Sequence, residues 1–273
     1  MNDTTPTHQA GDDLILHHYD GSPFAEKARL MLGYKGLAWK SVRIPVIMPK
    51  PDLTALTGGY RRTPVLQVGA DIYCDTALIA RVLEQRAPAP TLFPSTAPTA
   101  SLLAQWADFT LFWSVIPYTM QPAGLAHVFK DLPPEAIKAF AADRAPFAAS
   151  LRRQTPADAT AALESYFDVL DAQLANGRAY LFGEAPCIAD FSVAHNGWYV
   201  RRGGELALII QRRPALDGWL DRMLAIGHGR FDRLRSEDAI QIAAAAEPLP
   251  ATVQSGLGFE AGEPVTVTPM DYG

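Results

Sequence analysis

The sequence predicts an α/β domain of order βαβ-α-ββα followed by an all-helical domain, on the strength of three observations. A short apolar run, Leu14 to Tyr19, is followed by a helix-length stretch and by a second strand-like run from Trp39. Two further strand-like runs, Thr63 to Val68 and Ile72 to Cys74, stand close together across a glycine-bearing turn. From residue 101 the strand signals stop and apolar residues recur at helical spacing.

Taken in order, LILHHY (Leu14 to Tyr19) is apolar-rich and bounded by Asp20-Gly21, which reads as a strand. Pro23 to Gly36 then reads as a helix, with Phe24, Ala28, Met31 and Leu32 on one face and Gly36 as a terminator. Trp39 to Pro45 is a second strand with Val42 and Ile44 on one side. A crossover of this length between strands implies a parallel βαβ unit. Pro51 to Gly58 can hold a short helix. Gly69-Ala70-Asp71 between the next two runs suggests an antiparallel hairpin. Asp75 precedes a helix from Thr76 to about Arg86, striped by Leu78, Ile79, Val82 and Leu83.

Ala87 to Ala100 holds four prolines and no charge and reads as a linker. Beyond it, Leu102, Trp106, Phe109, Trp113 and Ile116 step by fours and threes, an amphipathic helix expected to halt near Pro117. Leu163, Phe167, Leu170 and Leu174 repeat the pattern. A third helix begins near Cys187 and a fourth near Pro214, with Leu216, Leu220 and Leu224 in register. The expected divisions are a flexible start (1–12), an α/β domain (13–87), a linker (88–100), a helical domain (101–235) and an extension (236–273). Within the extension Pro264 to Thr268 has strand character; the rest lacks a periodic stripe and is expected to pack over the surface or stay partly disordered.

Apolar residues make up 48% of the chain and charged residues 19%, so a packed core is expected. A net charge of −5 argues against nucleic acid or an acidic membrane surface as a partner. Arginines 201, 202, 212, 213, 222, 230, 233 and 235 are interleaved with Glu205, Asp217, Asp221 and Asp232 and read as a solvated helical face. The polar start carries no secretory pattern, and no apolar run reaches the ~20 residues of a spanning helix. Cys74 and Cys187 are far apart and outside any C-x-x-C pair, which fits a reducing cytoplasm. The histidines show no ligand spacing, so no metal site is expected.

The chemistry concentrates at Asp20-Gly21-Ser22-Pro23. Pro23 suits the first helical position, which places Ser22 at the N-cap. A capping hydroxyl is one reading. The other uses the same geometry: a helix N-terminus stabilises an anion such as a thiolate, and a serine can donate to its sulfur. The run SPFAEKARLMLGYKGL resembles the first helix of cytosolic glutathione transferases that carry serine or cysteine at its start. Lys50-Pro51-Asp52-Leu53, Arg61-Arg62-Thr63-Pro64-Val65-Leu66 and Cys74-Asp75-Thr76-Ala77-Leu78-Ile79 resemble that family's other glutathione-site segments in order and spacing. Phe182-Gly183 followed by Cys187-Ile188-Ala189-Asp190-Phe191 resembles the helix start of its C-terminal domain. The similarity spans roughly residues 13 to 235 and looks closest to a bacterial and fungal branch with a C-terminal extension.

The resemblance implies a thioredoxin-like first domain and a helical bundle. It implies that Ser22 hydrogen-bonds the glutathione sulfur, with Tyr19 as a second candidate. Thr63 would offer its backbone to the cysteinyl part beside a cis Pro64. Asp75 and Thr76 would receive the γ-glutamyl group, and Lys50 and Arg62 the glycyl carboxylate. Tyr19, Trp106, Phe109 and Trp113 would wall a hydrophobic pocket for a small-molecule electrophile. A homodimer in the cytoplasm is the family expectation.

Two departures stand out. The family's tyrosine slot, counted back from Arg29, falls on His18, and Tyr19 one residue later faces the other side of the strand. Cys187 occupies a position where the family has serine or threonine, so the N-cap loses its hydroxyl acceptor. Serine at position 22 also cannot form the mixed disulfide of thiol-disulfide chemistry. The sequence leaves open a transferase, a glutathione-dependent lyase or isomerase, and a non-catalytic binding module.

Overall fold

The computed structural model describes residues 13–149, 154–250, 256 and 258–266. The expected flexible start lies outside the described residues. The first domain runs β1 (Leu14–His18), α1 (Pro23–Tyr34), β2 (Trp39–Arg43), α2 (Pro51–Thr57), β3 (Val65–Val68), β4 (Asp71–Cys74) and α3 (Thr76–Arg86). β1 pairs parallel to β2 and antiparallel to β3, and β3 pairs antiparallel to β4. Asp71 belongs to β4, so the hairpin turns on Gly69-Ala70 alone, with Gly69 at φ 57°. This is the thioredoxin-like arrangement the sequence implies.

The linker is ordered rather than loose. Leu92 is buried, its carbonyl accepts from the Ile188 N–H, and its own N–H donates to Glu84. The helical domain follows as α4 (Ala100–Trp106), a π-helical turn (Ala107–Leu111), α5 (Phe112–Thr119), α6 (Pro122–Val128), α7 (Pro134–Arg144), α8 (Pro156–Leu174), α9 (Ile188–Arg201), α10 (Leu208–Gln211) and α11 (Pro214–Ala225).

The α4–α5 helix corrects the sequence reading twice. It continues through Pro117 to Thr119. Its buried face is Ala104, Ala107, Leu111, Val115 and Tyr118, not the aromatic stripe; Leu102 is 67% exposed and Phe109 45%. The π turn inserts a wider step and rotates the following residues. Small residues on the buried face let α4 lie close against α9. The α8 stripe holds, with Leu163, Phe167, Leu170 and Leu174 buried. In α11 Leu216 and Leu220 are buried beside Trp219 and Met223, while Leu224 is only partly buried. In α3 Ile79, Val82 and Leu83 are buried but Leu78 is 46% exposed.

A second correction concerns the chain after α11. Phe231–Arg233 forms β5, which pairs parallel to β2, so among the described residues the sheet has five strands in the order β4-β3-β1-β2-β5. This strand falls within the segment expected to be all helical. Ser236–Ala245 then forms α12, which packs on α2 and β2. Ala239 is buried in a small second core with Ile15, Val42, Ile44, Leu53 and Val65. The Ala239 carbonyl accepts from Gln67 Nε2 at 2.8 Å, and Ser236 Oγ donates to Asp52 at 2.5 Å. Residues 264–266 carry no regular structure, and the rest of the expected PVTVT strand lies outside the described residues.

The arginine-rich end is only partly a solvated face. Arg201 pairs with Asp217 and Asp221 near the surface. Arg213 is buried and reaches Glu164 and Asp168 of α8, tying α11 to α8 across the bundle.

Candidate active site

A cleft of about 540 Å³ opens between the domains. It collects Arg62, Thr63, Pro64, Asp75, Thr76 and Phe109 among the sequence-predicted residues, together with Phe24, Lys27, Tyr60 and Asp108. Ser22, Tyr19, Lys50, Trp106 and Trp113 do not line it. Trp106 packs edge-on against Tyr166 of α8 at 5.1 Å, a structural contact away from the cleft. Trp113 stands against Phe112 at 5.4 Å.

Ser22 is buried at the N-cap of α1, and its Oγ accepts from the Ala25 N–H at 3.2 Å. A hydroxyl that accepts one bond keeps its own proton to donate. Both sequence readings of Ser22 therefore fit one geometry. His18, in the position where a tyrosine would stand, is not a proton donor to the cleft. Its Nδ1 accepts from Arg29 Nη1 at 3.0 Å, which leaves the ring proton on Nε2 to donate to Ser41 Oγ at 2.9 Å. Burial, and then the charges of Arg29 and Arg43, lower its pKa to about 3, so the ring is neutral.

Thr63 precedes a cis peptide bond to Pro64. Among the described residues, neither its N–H nor its C=O pairs with another backbone group. An unpaired backbone edge facing a cleft is a template for an extended ligand. Lys50 lies beside it, almost wholly buried; its Nζ donates to the Arg61 carbonyl at 3.1 Å and to Thr63 Oγ1 at 3.4 Å. No acidic residue among the described residues pairs with it. Burial, and then Arg144 and Arg61, lower its pKa to about 8.

At the far side, Asp75 caps α3, its carboxylate accepting from the Ala77 N–H at 2.9 Å. Its φ of 75° puts a non-glycine residue in a sparsely populated region, a kind of strain that concentrates at binding sites. Thr76 beneath it accepts from Lys27 Nζ at 3.1 Å.

Sequence reasoning missed the group to which Lys27 belongs. Lys27 is wholly buried, and its Nζ also donates to Asp108 Oδ2 at 2.6 Å. Asp108 accepts in addition from Ser192, at 3.3 Å, and its Oδ1 meets His195 Nε2 at 3.1 Å. Lys27 and His195 hold the Asp108 carboxyl below the usual range against its burial. The network joins the start of α1 to α3, to the π turn and to α9, so it spans both domains. Lys27 reads in the sequence as part of the polar face of an amphipathic helix. Only its pairing across the domain boundary shows otherwise.

Comparison with known proteins agrees with this geometry. The N-terminal domain family of glutathione S-transferases matches residues 16–91, and the C-terminal domain family matches residues 139–222. A solved GST-like protein from Pseudomonas syringae is 44% identical, with a TM-score of 0.76, over 92% of this chain and 82% of that one. Glutathione S-transferase III in its apo form is 21% identical with a TM-score of 0.59, over 88% of this chain and all of that one. FzlA from C. crescentus is 20% identical with a TM-score of 0.57, over 77% and 87%. The latter two share the fold. No curated protein sequence matches.

Proposed function

The chain belongs to the glutathione S-transferase family, and on that premise we propose that it binds glutathione along the interdomain cleft, reaching past the lining residues Phe24 and Thr63 to the adjacent Ser22 and Lys50, and activates the thiol through Ser22. The supporting observation is Lys50: a buried ammonium with only neutral oxygen partners, next to an open backbone edge. A buried charge calls for a counter-charge, and the glycyl carboxylate of glutathione supplies one while its cysteinyl unit pairs with Thr63. Arg62 lines the same end of the cleft. At the other end, Thr76 and the α3 N-terminus suit the γ-glutamyl carboxylate. Asp75, with Asp108 alongside, suits the γ-glutamyl ammonium.

With glutathione seated this way, the Ser22 proton donates to the sulfur and the α1 N-terminus favours the thiolate. Lowering a thiol pKa by two units stabilises the anion by about 2.7 kcal/mol, within reach of a charge-assisted hydrogen bond plus a helix terminus. The sulfur lone pair then forms a C–S bond to an electrophilic small molecule as the leaving group departs with its electron pair. Phe109 and Phe24 line the cleft, and Phe24 packs at a tilt against Phe112 and His195, 4.8 Å away, to form a wall beside it. One thiolate serves conjugation, isomerisation or ether cleavage alike. We place the activity in the cytoplasm, in a homodimer that would cover the exposed Leu78 and Leu102.

Calorimetry with glutathione on wild type and Lys50→Met tests the binding half. We expect about tenfold weaker binding in the variant; equal affinity would remove the carboxylate from Lys50. A non-catalytic glutathione-binding module is the second reading, favoured by the burial of Ser22 and the use of its oxygen as a cap. Tight glutathione binding without turnover across a broad electrophile panel would select it.

A further inference from the structure

The wall near Ser22 is not uniformly apolar. α9 runs antiparallel to α1: Phe191 meets Tyr34 at 5.4 Å, His195 meets Phe24 at 4.8 Å, and Arg202, just past the helix end, reaches the loop that precedes Ser22. A Cβ added to Gly21 would lie 3.8 Å from Arg202 Nη2. The Arg202 guanidinium stacks 4.7 Å from the Trp198 ring, half-buried. Among the described residues it makes no ion pair.

The acids of the Gly21 loop, α1 and α7 are engaged elsewhere, and Glu205, three residues on, is exposed and makes no ion pair with Arg202 among the described residues. Asp20 pairs with Arg43, Glu26 with Arg29 and His228, and Asp143 with Arg61 and Arg144. Tyr199, one turn before Arg202, is buried, and its hydroxyl makes no hydrogen bond among the described residues. Tyr19, Arg144 and Arg202 all act on its phenol electrostatically. Arg144 Nη2 in turn donates to the Tyr19 hydroxyl at 3.2 Å.

We propose that Arg202 and Tyr199 recognise a carboxylate on the second substrate, so that the electrophile is an aromatic acid rather than a neutral apolar compound. This rests on the Ser22 reading above, because it places the acid against the loop that carries Ser22. A guanidinium held over an indole ring is pre-organised for a carboxylate, and a buried phenol whose hydroxyl is not otherwise bonded supplies a second donor. The reacting carbon lies on the ring the carboxylate anchors. The thiolate attacks it, the C–S bond forms, and the leaving group departs as an anion.

The test uses a matched pair, a chlorodinitrobenzoate and the corresponding benzamide, with the chlorine-free dinitrobenzoate as a binding probe read by quenching of tryptophan fluorescence. At saturating glutathione, wild type is expected to prefer the benzoate by about tenfold in kcat/KM, expressed in KM, and Arg202→Gln to erase about that factor. Arg202→Lys, which keeps the charge, should retain most of the preference. Ser22→Ala should abolish turnover of both probes while the dinitrobenzoate still binds. A wild type that does not distinguish the pair overturns the proposal and leaves the Ser22 reading standing. So does an Arg202→Gln variant with unchanged preference and dinitrobenzoate affinity. Undiminished turnover in Ser22→Ala would instead sink the Ser22 reading, whatever Arg202 does.

Discussion

Raising the pH from 7 to 9 should weaken the binding of a glutathione analogue through loss of the Lys50 charge, beyond the part that the ligand's own amine contributes. The Lys50 ammonium is buried, faces Arg61 and Arg144, and has its pKa lowered to about 8, burial being the main cause. At pH 7 about nine-tenths of such amines carry the proton, and at pH 9 about one-tenth. If the ligand carboxylate binds the ammonium and not the amine, the dissociation constant rises about tenfold over that range, or about 1.4 kcal/mol. Calorimetry with S-methylglutathione measures this without a titrating thiol, and the same series on Lys50→Met gives the part due to the ligand's own α-amine, which also titrates in this range. An affinity constant within about twofold from pH 7 to 9 would refute the assignment, as would a decline in Lys50→Met as large as that of wild type. The ligand-free protein gives a check of opposite sign. An unfolded chain keeps the lysine proton up to its ordinary pKa of 10.5, whereas the folded protein releases it at about 8. Between those values the unfolded state binds more protons, so this group's contribution to stability rises with pH across the window and is flat below it.

Other changes report on other parts of the molecule. Ser22→Ala should cost about 1 kcal/mol of stability through the lost cap and raise the pKa of enzyme-bound glutathione by about one unit or more, read from thiolate ultraviolet absorbance against pH. Cys187→Ser should raise the urea midpoint by about 0.5–1 kcal/mol equivalent, because a hydroxyl oxygen accepts the Asp190 N–H of the capping box better than the buried sulfur does, which also donates only weakly to Asp190 Oδ2, at 3.3 Å; an unchanged or lower midpoint contradicts this. Gly33→Ala, in a helix where alanine is ordinarily better by about 1 kcal/mol, should destabilise instead, since the added Cβ would overlap the Gly227 carbonyl oxygen; a raised melting temperature would count against that packing. Ala239→Asp would put an unpaired charge into the second core and should cost about 3 kcal/mol. It should also weaken glutathione binding, because α12 braces the helix that Lys50 precedes; tight binding in a destabilised variant would separate the two effects.

Much of the first domain was legible because its signals are local. β1, α1, β2 and the hairpin each carry their own periodicity and their own stop, and Ser22, Thr63 and Asp75 sit at element ends that sequence can locate. What was not legible depends on contacts distant in sequence. Phe231-Asp232-Arg233 is three exposed residues with no alternation, and only the edge of β2 makes it a strand. α12 has few large apolar residues, and Ala239 counts as core only once Leu53 and Val42 are beside it. The aromatic stripe of α4–α5 misled because a π turn changes the period midway, which no single-period template allows. Lys27 and Asp108, separated by 81 residues, give no sequence signal of their pairing.

The return of the chain through β5 and α12 has a consequence for movement. The α/β domain is assembled from two separate stretches, 13–86 and 231–245, with the whole helical bundle inserted between them. The two bodies are thus joined by two covalent crossings, the ordered linker at Leu92 and the turn at Gly227–Arg230, where the His228 carbonyl accepts from Trp39 Nε1 at 2.9 Å. A pair of bodies pinned at one point can swing; pinned at two, they are left mainly with rotation about the line through both pins. Cleft width is therefore set by the architecture, and ligand entry must rely on smaller parts at the rim. One candidate is α7, which has no buried residue and reaches across to Arg61, Val46 and Tyr19, next to the cleft residues Tyr60 and Arg62, through Asp143 and Arg144.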